Sequence, residues 1–148
     1  MRVYLDNCCF NRPYDEPIQE TIRLETQAKI AIQDKIKEGK IELIWSFILD
    51  FENSENPYDD QQSAIAEWEH LSRDNIAVQE AIRNQASLFE KSGLKAKDAI
   101  HLACAIAGKS DYLITTGKNF IKKGKKLTEI AVVNPIDMIY IMEQELIK

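Results

Sequence analysis

The amino-acid sequence predicts an α/β fold, a three-layer α/β/α sandwich built on a central, mostly parallel sheet of four or five strands. Short runs such as Val3-Tyr4-Leu5 are apolar without alternation, which is typical of strands buried on both faces. Segments with helical spacing of apolar residues separate these runs, so the strands are joined by helical crossovers. The chain has 148 residues, enough to bury the core of a single domain, which we expect to span residues 1–148.

Four strands are predicted from their apolar centres and from the turn residues that follow them. The first ends at Asp6-Asn7, and the last is closed by Asn134-Pro135, a common turn signal. The predicted strands cover residues 2–5, 41–45, 111–115 and 130–133.

Helices are predicted between the strands and after the last one. Gly39 and Gly108 end two of them, since glycine readily adopts the left-handed conformation found after helices. Ser46 is predicted to cap a helix that begins at Phe47. The other predicted helices cover residues 18–38, 61–72, 76–91, 94–107 and 136–147. Residues 8–17 are predicted to be irregular, and residues 118–126 form a polar, basic stretch.

Composition and charge exclude several classes of protein. The net charge of −5 argues against non-specific binding of nucleic acid over the whole surface. Cys8, Cys9 and Cys104 form neither a disulfide framework nor a zinc-binding pattern. No apolar run approaches the roughly 20 residues of a membrane span, and the first residues do not resemble a signal peptide. We therefore expect a cytoplasmic protein without a membrane partner.

Asp98 lies in the first turn of the helix predicted at residues 94–107. One interpretation is compensation of the helix dipole, which stabilises a helix by about 0.3–1 kcal/mol. The other is a metal ligand held on a rigid, buried helix. The helix alone does not decide between them.

Other polar residues are predicted at the edge of the sheet where Asp98 is expected. Asp6 directly follows the first strand, Thr115-Thr116-Gly117 follows the third, and Glu52 lies in the helix after the second. Ligands of open α/β sheets bind beyond the carboxyl ends of the strands. Crowded carboxylates repel one another unless a cation is present, and their hard oxygen atoms suit Mg²⁺ or Mn²⁺. Such ions polarise phosphoryl oxygens, which suggests hydrolysis of a phosphodiester.

Five segments, in this order, resemble the PIN-domain family of metal-dependent ribonucleases, which includes the VapC-like toxins of bacterial toxin–antitoxin modules. The segments are residues 3–7 (VYLDN), 46–52 (SFILDFE), 94–103 (LKAKDAIHLA), 111–116 (DYLITT) and 132–135 (VVNP). The resemblance runs through nearly the whole chain. It implies the PIN fold, Mg²⁺ or Mn²⁺ as cofactor, an RNA substrate, an antitoxin partner and a homodimer.

The resemblance also assigns roles to residues of this chain. Asp6, Glu52 and Asp98 match three acidic site positions, and Thr115 and Thr116 match strand-end hydroxyls, of which Thr116 is predicted to be catalytic. Asp6 and Asp98 would be the main metal ligands. Glu52 would bind the metal directly or orient the attacking water.

Gly117 departs from the family pattern, which usually has Asp directly after the two threonines, and Asn119 replaces a frequent second acid. The loss of a carboxylate would weaken metal binding. A catalytically impaired PIN-like module that binds RNA or protein is therefore the alternative function. A flavodoxin-like phosphate-binding module is a weaker hypothesis, because no glycine-rich loop follows the first strand.

Basic residues near the predicted site have two interpretations. Lys118, Lys122 and Lys123, together with Arg12, would either track RNA phosphates or form a solvated loop. His101, one helical turn after Asp98, is expected to be a buried structural residue in preference to a general acid.

Overall fold

Five parallel strands form one sheet in the computed structural model of the protein, which describes residues 1–11 and 19–146. The strands are β1 (Arg2–Leu5), β2 (Glu42–Ser46), β3 (Ser72–Ile76), β4 (Tyr112–Ile114) and β5 (Ala131–Val133). Their order across the sheet is β3-β2-β1-β4-β5, so β1 is central and the strand order reverses beside it. The predicted α/β class and the parallel sheet are confirmed.

Helices connect and cover the strands. They are α1 (Asn7–Asn11), α2 (Glu20–Lys37), α3 (Phe47–Ser54), α4 (Asp59–Ala66), α5 (Trp68–Leu71), α6 (Glu80–Lys91), α7 (Ala96–Ala107), α8 (Lys118–Gly124) and α9 (Pro135–Leu146). Helix α2 packs against α9, and α6 packs against α7. Within the described residues, no helix combines the length and the apolar character needed to cross a membrane.

The core forms around β1, whose residues Val3, Tyr4 and Leu5 are at most 1% exposed. Neighbouring strands shield their backbones and helices shield their side chains, which explains the apolar run in the sequence. Aromatic residues fill the space beside the sheet, and the rings of Phe10 and Trp45 meet edge to face at 5.2 Å between centroids. This contact packs α1 against β2.

The segment that follows α4 differs from the prediction. We predicted helices at residues 61–72 and 76–91, but residues 72–76 form β3 at the edge of the sheet. Arg73, Asp74 and Asn75 in this strand are exposed. Charged side chains on an edge strand discourage pairing with other chains, and they also remove the apolar run that identifies inner strands.

Two further segments form helices that were not predicted. Residues 7–11 form α1, although residues 8–17 were predicted to be irregular. The basic stretch after Gly117 forms α8. Phe120 anchors α8, since it is 1% exposed. Arg12 and the remainder of the predicted irregular segment up to residue 17 lie outside the described residues.

Buried polar side chains of α2 hold α1 in place. Lys29, which is 1% exposed, donates from Nζ to the carbonyl oxygen of Cys8 at 3.0 Å. Gln33 donates from Nε2 to the carbonyl oxygen of Cys9, also at 3.0 Å. A helix of five residues is too short to be stable alone. These two contacts therefore supply hydrogen-bond partners to α1 carbonyls that would otherwise be unsatisfied.

Candidate active site

Asp6 lies at the carboxyl end of β1, and both of its carboxylate oxygens are held. The backbone N–H of Asn7 donates to Oδ1 at 2.7 Å, and the Thr115 hydroxyl donates to Oδ2 at 2.7 Å. The backbone N–H of Asp6 itself donates to the carbonyl oxygen of Ile114 at 3.0 Å, which continues the pairing of β1 with β4. The adjacent strand therefore orients this acid, as the sheet topology predicts.

Glu52 and His101 meet Asp6 at this edge. Glu52 lies on α3, and its Oε1 contacts Nε2 of His101 on α7 in a short hydrogen bond. The same Nε2 is 3.5 Å from Asp6 Oδ1. In the part of the chain that the structure describes, these three residues offer ligand atoms within 4.8 Å of one another. Two of the predicted acids are thus adjacent, and the third member of the group is a histidine.

His101 is buried, as expected, with 1% of the residue exposed. Its Nδ1 lies 2.6 Å from the Tyr4 hydroxyl, which lies 2.7 Å from Ser46 Oγ. Burial by itself lowers the pKa of His101, but the hydrogen bond to Glu52 and the nearby carboxylates outweigh it and raise the pKa. The predicted side-chain cap by Ser46 is wrong, because its hydroxyl contacts Tyr4 and makes no cap hydrogen bond to α3.

Asp98 lines the same cavity as Asp6, Glu52 and His101 without joining their close group. Its pKa is raised, first by partial burial and then by the negative charge of Asp6. The cavity has a volume of about 490 Å³. It is lined by Asp6, Asn7, Cys8, Glu52, Lys95, Ala96, Lys97, Asp98 and His101. Three of the five segments, residues 3–7, 46–52 and 94–103, therefore contribute to one cavity.

The two threonines after β4 have different contacts. Thr115 is fully buried and bonds Asp6, whereas the Thr116 hydroxyl lies 3.3 Å from Cys8 Sγ. The backbone N–H of Gly117 donates to Thr115 Oγ1 at 3.1 Å. The structure thus places Thr115, and not Thr116, against an acidic residue.

Gly117 does not need to be glycine for backbone reasons. Its φ of −70° is accessible to any residue. A Cβ atom there would lie 3.4 Å from Phe120 Cβ and 3.5 Å from Thr115 Oγ1, which are ordinary contacts. A Cβ atom is therefore sterically allowed at position 117.

Basic side chains line the cavity and also lie on α8. Lys118 and Lys122 are exposed on α8, which begins directly after Gly117. Lys123 lies against the connection between α6 and α7, with Nζ 3.0 Å from the position that a Cβ of Gly93 would occupy. Lys95 and Lys97 line the cavity itself. These two lysines were not predicted as site residues, although they flank the start of α7 directly before Asp98.

The donor set fits a divalent cation. Asp6 and Glu52 are partly exposed carboxylates with oxygen atoms close together, which is the ligand type that Mg²⁺ and Mn²⁺ prefer. Burial, and then the charge of Asp6, raises the pKa of Asp98, and a cation bound at the cavity would favour its ionised form. A second cavity of about 640 Å³, beside Met1 and Asp111, lies at the amino ends of β1 and β4, away from these acids.

Comparisons with known proteins identify the fold. No protein-family model and no curated protein matches the chain. Among solved structures, a chain of VapBC2 from Rickettsia felis, bound to a DNA fragment from the promoter, matches with a TM-score of 0.54 and 14% identity. This match covers 90% of the present chain and 98% of the other.

A chain of VapBC-1 from nontypeable Haemophilus influenzae matches with the same TM-score of 0.54 and 14% identity, covering 91% of the present chain and 98% of the other. VapC is a PIN-domain protein. The chain has a PIN-like fold. The fold implied by the sequence resemblance is thereby confirmed, and at this level of identity the likeness concerns the fold alone.

Proposed function

We propose that the protein is a metal-dependent endoribonuclease that hydrolyses RNA phosphodiester bonds. The observation that carries the proposal is the convergence of Asp6, Glu52 and Asp98 on one cavity at the carboxyl end of a parallel sheet. The PIN-like fold supports the same reaction class.

The acids would hold Mg²⁺ or Mn²⁺, which when bound would neutralise their charge and stabilise negative charge on a phosphoryl oxygen. Asp6 and Asp98 are the proposed main ligands. Glu52 has one oxygen committed to His101, which leaves the other to bind the metal or to orient the attacking water. Thr115 keeps Asp6 in place, and Thr116, beside Cys8, is the proposed second hydroxyl of the site.

Lysines around the cavity would bind the phosphates of the RNA backbone. Lys95 and Lys97 lie at the cavity, and Lys118, Lys122 and Lys123 belong to α8. Because the net charge is −5, RNA binding would be confined to this basic rim and would weaken as salt increases. Arg12 remains a candidate from sequence for the same rim.

The two structures compared above are VapBC complexes, and this supports a toxin–antitoxin module for the present chain. The proposed partners are therefore an antitoxin protein that blocks the cavity and a second copy of the chain in a homodimer. Co-expression with the neighbouring reading frame, followed by purification and mass measurement, tests both.

A second candidate function is carried by Gly117. The site has fewer carboxylates than is usual for a PIN domain, so a module that binds RNA or protein without efficient cleavage is the alternative. RNA binding without cleavage in Mn²⁺ would favour it.

The test is cleavage of a mixed set of structured and single-stranded RNAs in Mn²⁺, in Mg²⁺ and in EDTA. Asp98→Asn should abolish the metal-dependent cleavage. Asp137→Asn is the matched control, because Asp137 is a first-turn acid of α9 just as Asp98 is of α7. Undiminished cleavage by Asp98→Asn would contradict the proposed site, and a folded wild-type protein without cleavage would favour the binding module.

A further inference from the structure

A chain of hydrogen bonds runs from the core of the protein to the candidate site. Ser46 Oγ lies 2.7 Å from the Tyr4 hydroxyl, and this hydroxyl lies 2.6 Å from His101 Nδ1. The other ring nitrogen of His101 bonds Glu52, which lines the cavity. Ser46, Tyr4 and His101 are each at most 1% exposed, so they satisfy one another where water is excluded.

The direction of these hydrogen bonds follows from the chemistry of the groups. A carboxylate only accepts, so His101 Nε2 must carry the proton that it shares with Glu52. In the neutral imidazole Nδ1 is then an acceptor, and the Tyr4 hydroxyl donates to it. The Tyr4 oxygen in turn accepts the hydrogen of Ser46. With a neutral His101 this arrangement of protons satisfies the whole chain, whereas in the imidazolium both ring nitrogens donate and the two hydroxyl hydrogen bonds reverse.

We propose that His101 is a positioning residue that fixes the orientation of the Glu52 carboxylate, and that Tyr4 fixes the imidazole ring of His101. The consequence for catalysis rests on the proposed function, whereas the proton arrangement is a property of the protein without metal or RNA. His101 Nε2 then donates a hydrogen bond and is not itself a metal ligand.

The opposite role for His101 requires the opposite tautomer. A metal bound at Nε2 would need that nitrogen to be unprotonated, with the proton on Nδ1 and donated to Tyr4. Tyr4 would then have to donate to Ser46, which would reverse the whole chain. The tautomer of His101 therefore distinguishes a positioning residue from a metal ligand.

Nitrogen NMR of protein labelled with ¹⁵N-histidine reads the tautomer directly. The chain has two histidines, and the second one, His70, is exposed on α5 and serves as an internal reference. Spectra are recorded without metal, at a pH above the titration of His101, and His70→Gln assigns the resonances. We expect the Nε2–H tautomer for His101, both before and after addition of Mg²⁺, and averaged tautomers for His70.

Two hydroxyl variants test the direction of the chain. Ser46→Ala leaves the Tyr4 donor, so the Nδ1 resonance should stay at its hydrogen-bonded position. Tyr4→Phe removes that donor, so the Nδ1 resonance should move to the position of a free acceptor. The Nδ1–H tautomer, in the apo protein or with Mg²⁺, or averaging of His101 like that of His70, would overturn the proposal.

Calorimetry with Mn²⁺ alone tests whether His101 affects metal binding at the candidate site. His101→Gln keeps a donor toward Glu52 and an acceptor toward Tyr4, so its Mn²⁺ affinity should stay within about three-fold of the wild type. His101→Leu removes both and should weaken binding by about 10–100-fold, the range typical of residues that orient metal ligands. Equal affinities for folded Leu and Gln variants would also overturn the proposal. Neither the tautomer measurement nor the Mn²⁺ titration uses RNA. A protein that does not cleave RNA can therefore still confirm or contradict the role proposed for His101.

Discussion

Thr115 donates its hydroxyl to Asp6 Oδ2 at 2.7 Å, although the two residues are 109 positions apart in the chain. Both residues directly follow strands, β1 and β4, that pair in parallel at the centre of the sheet. The Asp6 carboxylate is therefore oriented before any ligand arrives. Thr116, the residue next to Thr115, makes its contact with Cys8 instead.

Replacing Thr115 by Val should weaken the site more than the same change at position 116. Thr115→Val keeps the shape of the side chain but removes the hydroxyl that donates to Asp6 and accepts from the Gly117 N–H. The loss of these hydrogen bonds should lower the free energy of unfolding by about 1–3 kcal/mol. Mn²⁺ affinity should fall about ten-fold or more, since Asp6 loses an orienting partner. Calorimetry and urea unfolding measure the two effects. Thr116→Val is the control, and equal losses in both variants would contradict this assignment.

Asp98→Asn should not destabilise the metal-free protein. Burial and the charge of Asp6 raise the pKa of Asp98, so its ionised form is disfavoured in the folded state. The pKa of this carboxyl group is about 4 in the unfolded chain and higher in the folded protein. As pH rises from the first value through the second, the wild type loses stability relative to the variant. At neutral pH the variant should be more stable, by less than about 1 kcal/mol after solvent screening.

Thermal unfolding in EDTA and in MgCl₂, across pH, measures this difference. Mg²⁺ should raise the melting temperature of the wild type more than that of Asp98→Asn, because the variant has lost a ligand. Asp137→Asn should respond to Mg²⁺ as the wild type does. A variant that is less stable in EDTA at neutral pH would show that Asp98 has a structural role.

Gly117→Asp should strengthen metal binding without disturbing the fold. The φ of −70° and the nearest contact of 3.4 Å allow a side chain at this position. The added carboxylate directly follows the two threonines, the first of which bonds Asp6, and it raises the negative charge that attracts a cation. Gly117→Ala separates the effect of charge from that of volume and should bind Mg²⁺ as the wild type does. If calorimetry gives the same affinity for all three proteins, position 117 does not contribute to the metal site.

Cys8 should be the reactive thiol among the three cysteines. A hydrogen bond with the Cys9 thiol, opposed by burial, lowers the pKa of Cys8 to about 7. Burial raises the pKa of Cys104 to about 12, and the contact with Cys8 and burial raise that of Cys9. Alkylation by iodoacetamide should therefore modify one residue, at a rate that rises through about pH 7 as the thiolate forms.

Peptide mapping by mass spectrometry identifies the alkylated residue. Cys8→Ser should abolish the fast reaction, whereas Cys104→Ser should leave it unchanged. Modification of Cys104 at a comparable rate would indicate that α7 opens more readily than its complete burial suggests.

The inner strands could be predicted from sequence because each of them is buried on both faces. Val3, Tyr4 and Leu5 combine an apolar run with a turn signal, and the structure places them in the central strand. Of the two edge strands, β5 has an apolar run (AVV) and was predicted, whereas β3 was not. Its sequence, SRDNI, has one buried apolar residue, and its pairing with β2 depends on tertiary contacts.

The candidate site could be predicted as a set of segments but not as a set of contacts. Spacing indicated that Asp6, Glu52 and Asp98 approach one edge, and they do. Sequence does not determine which of two adjacent threonines faces Asp6, since neighbouring residues at a strand end point in different directions. Nor does it show that the Ser46 hydroxyl turns inward to the core, because helix capping is the common local use of such a residue.

The pairing of β1 with β4 also affects how the protein becomes functional during synthesis. Asp6 is translated at the beginning of the chain, but the strand and the hydroxyl that orient it come from residues 112–115. A nascent or truncated chain that ends before this point contains all three acids, yet the edge of β1 next to Asp6 has no partner strand. The topology thus leaves Asp6 without its orienting hydroxyl until about three quarters of the chain has been made, so incomplete copies lack the assembled candidate site.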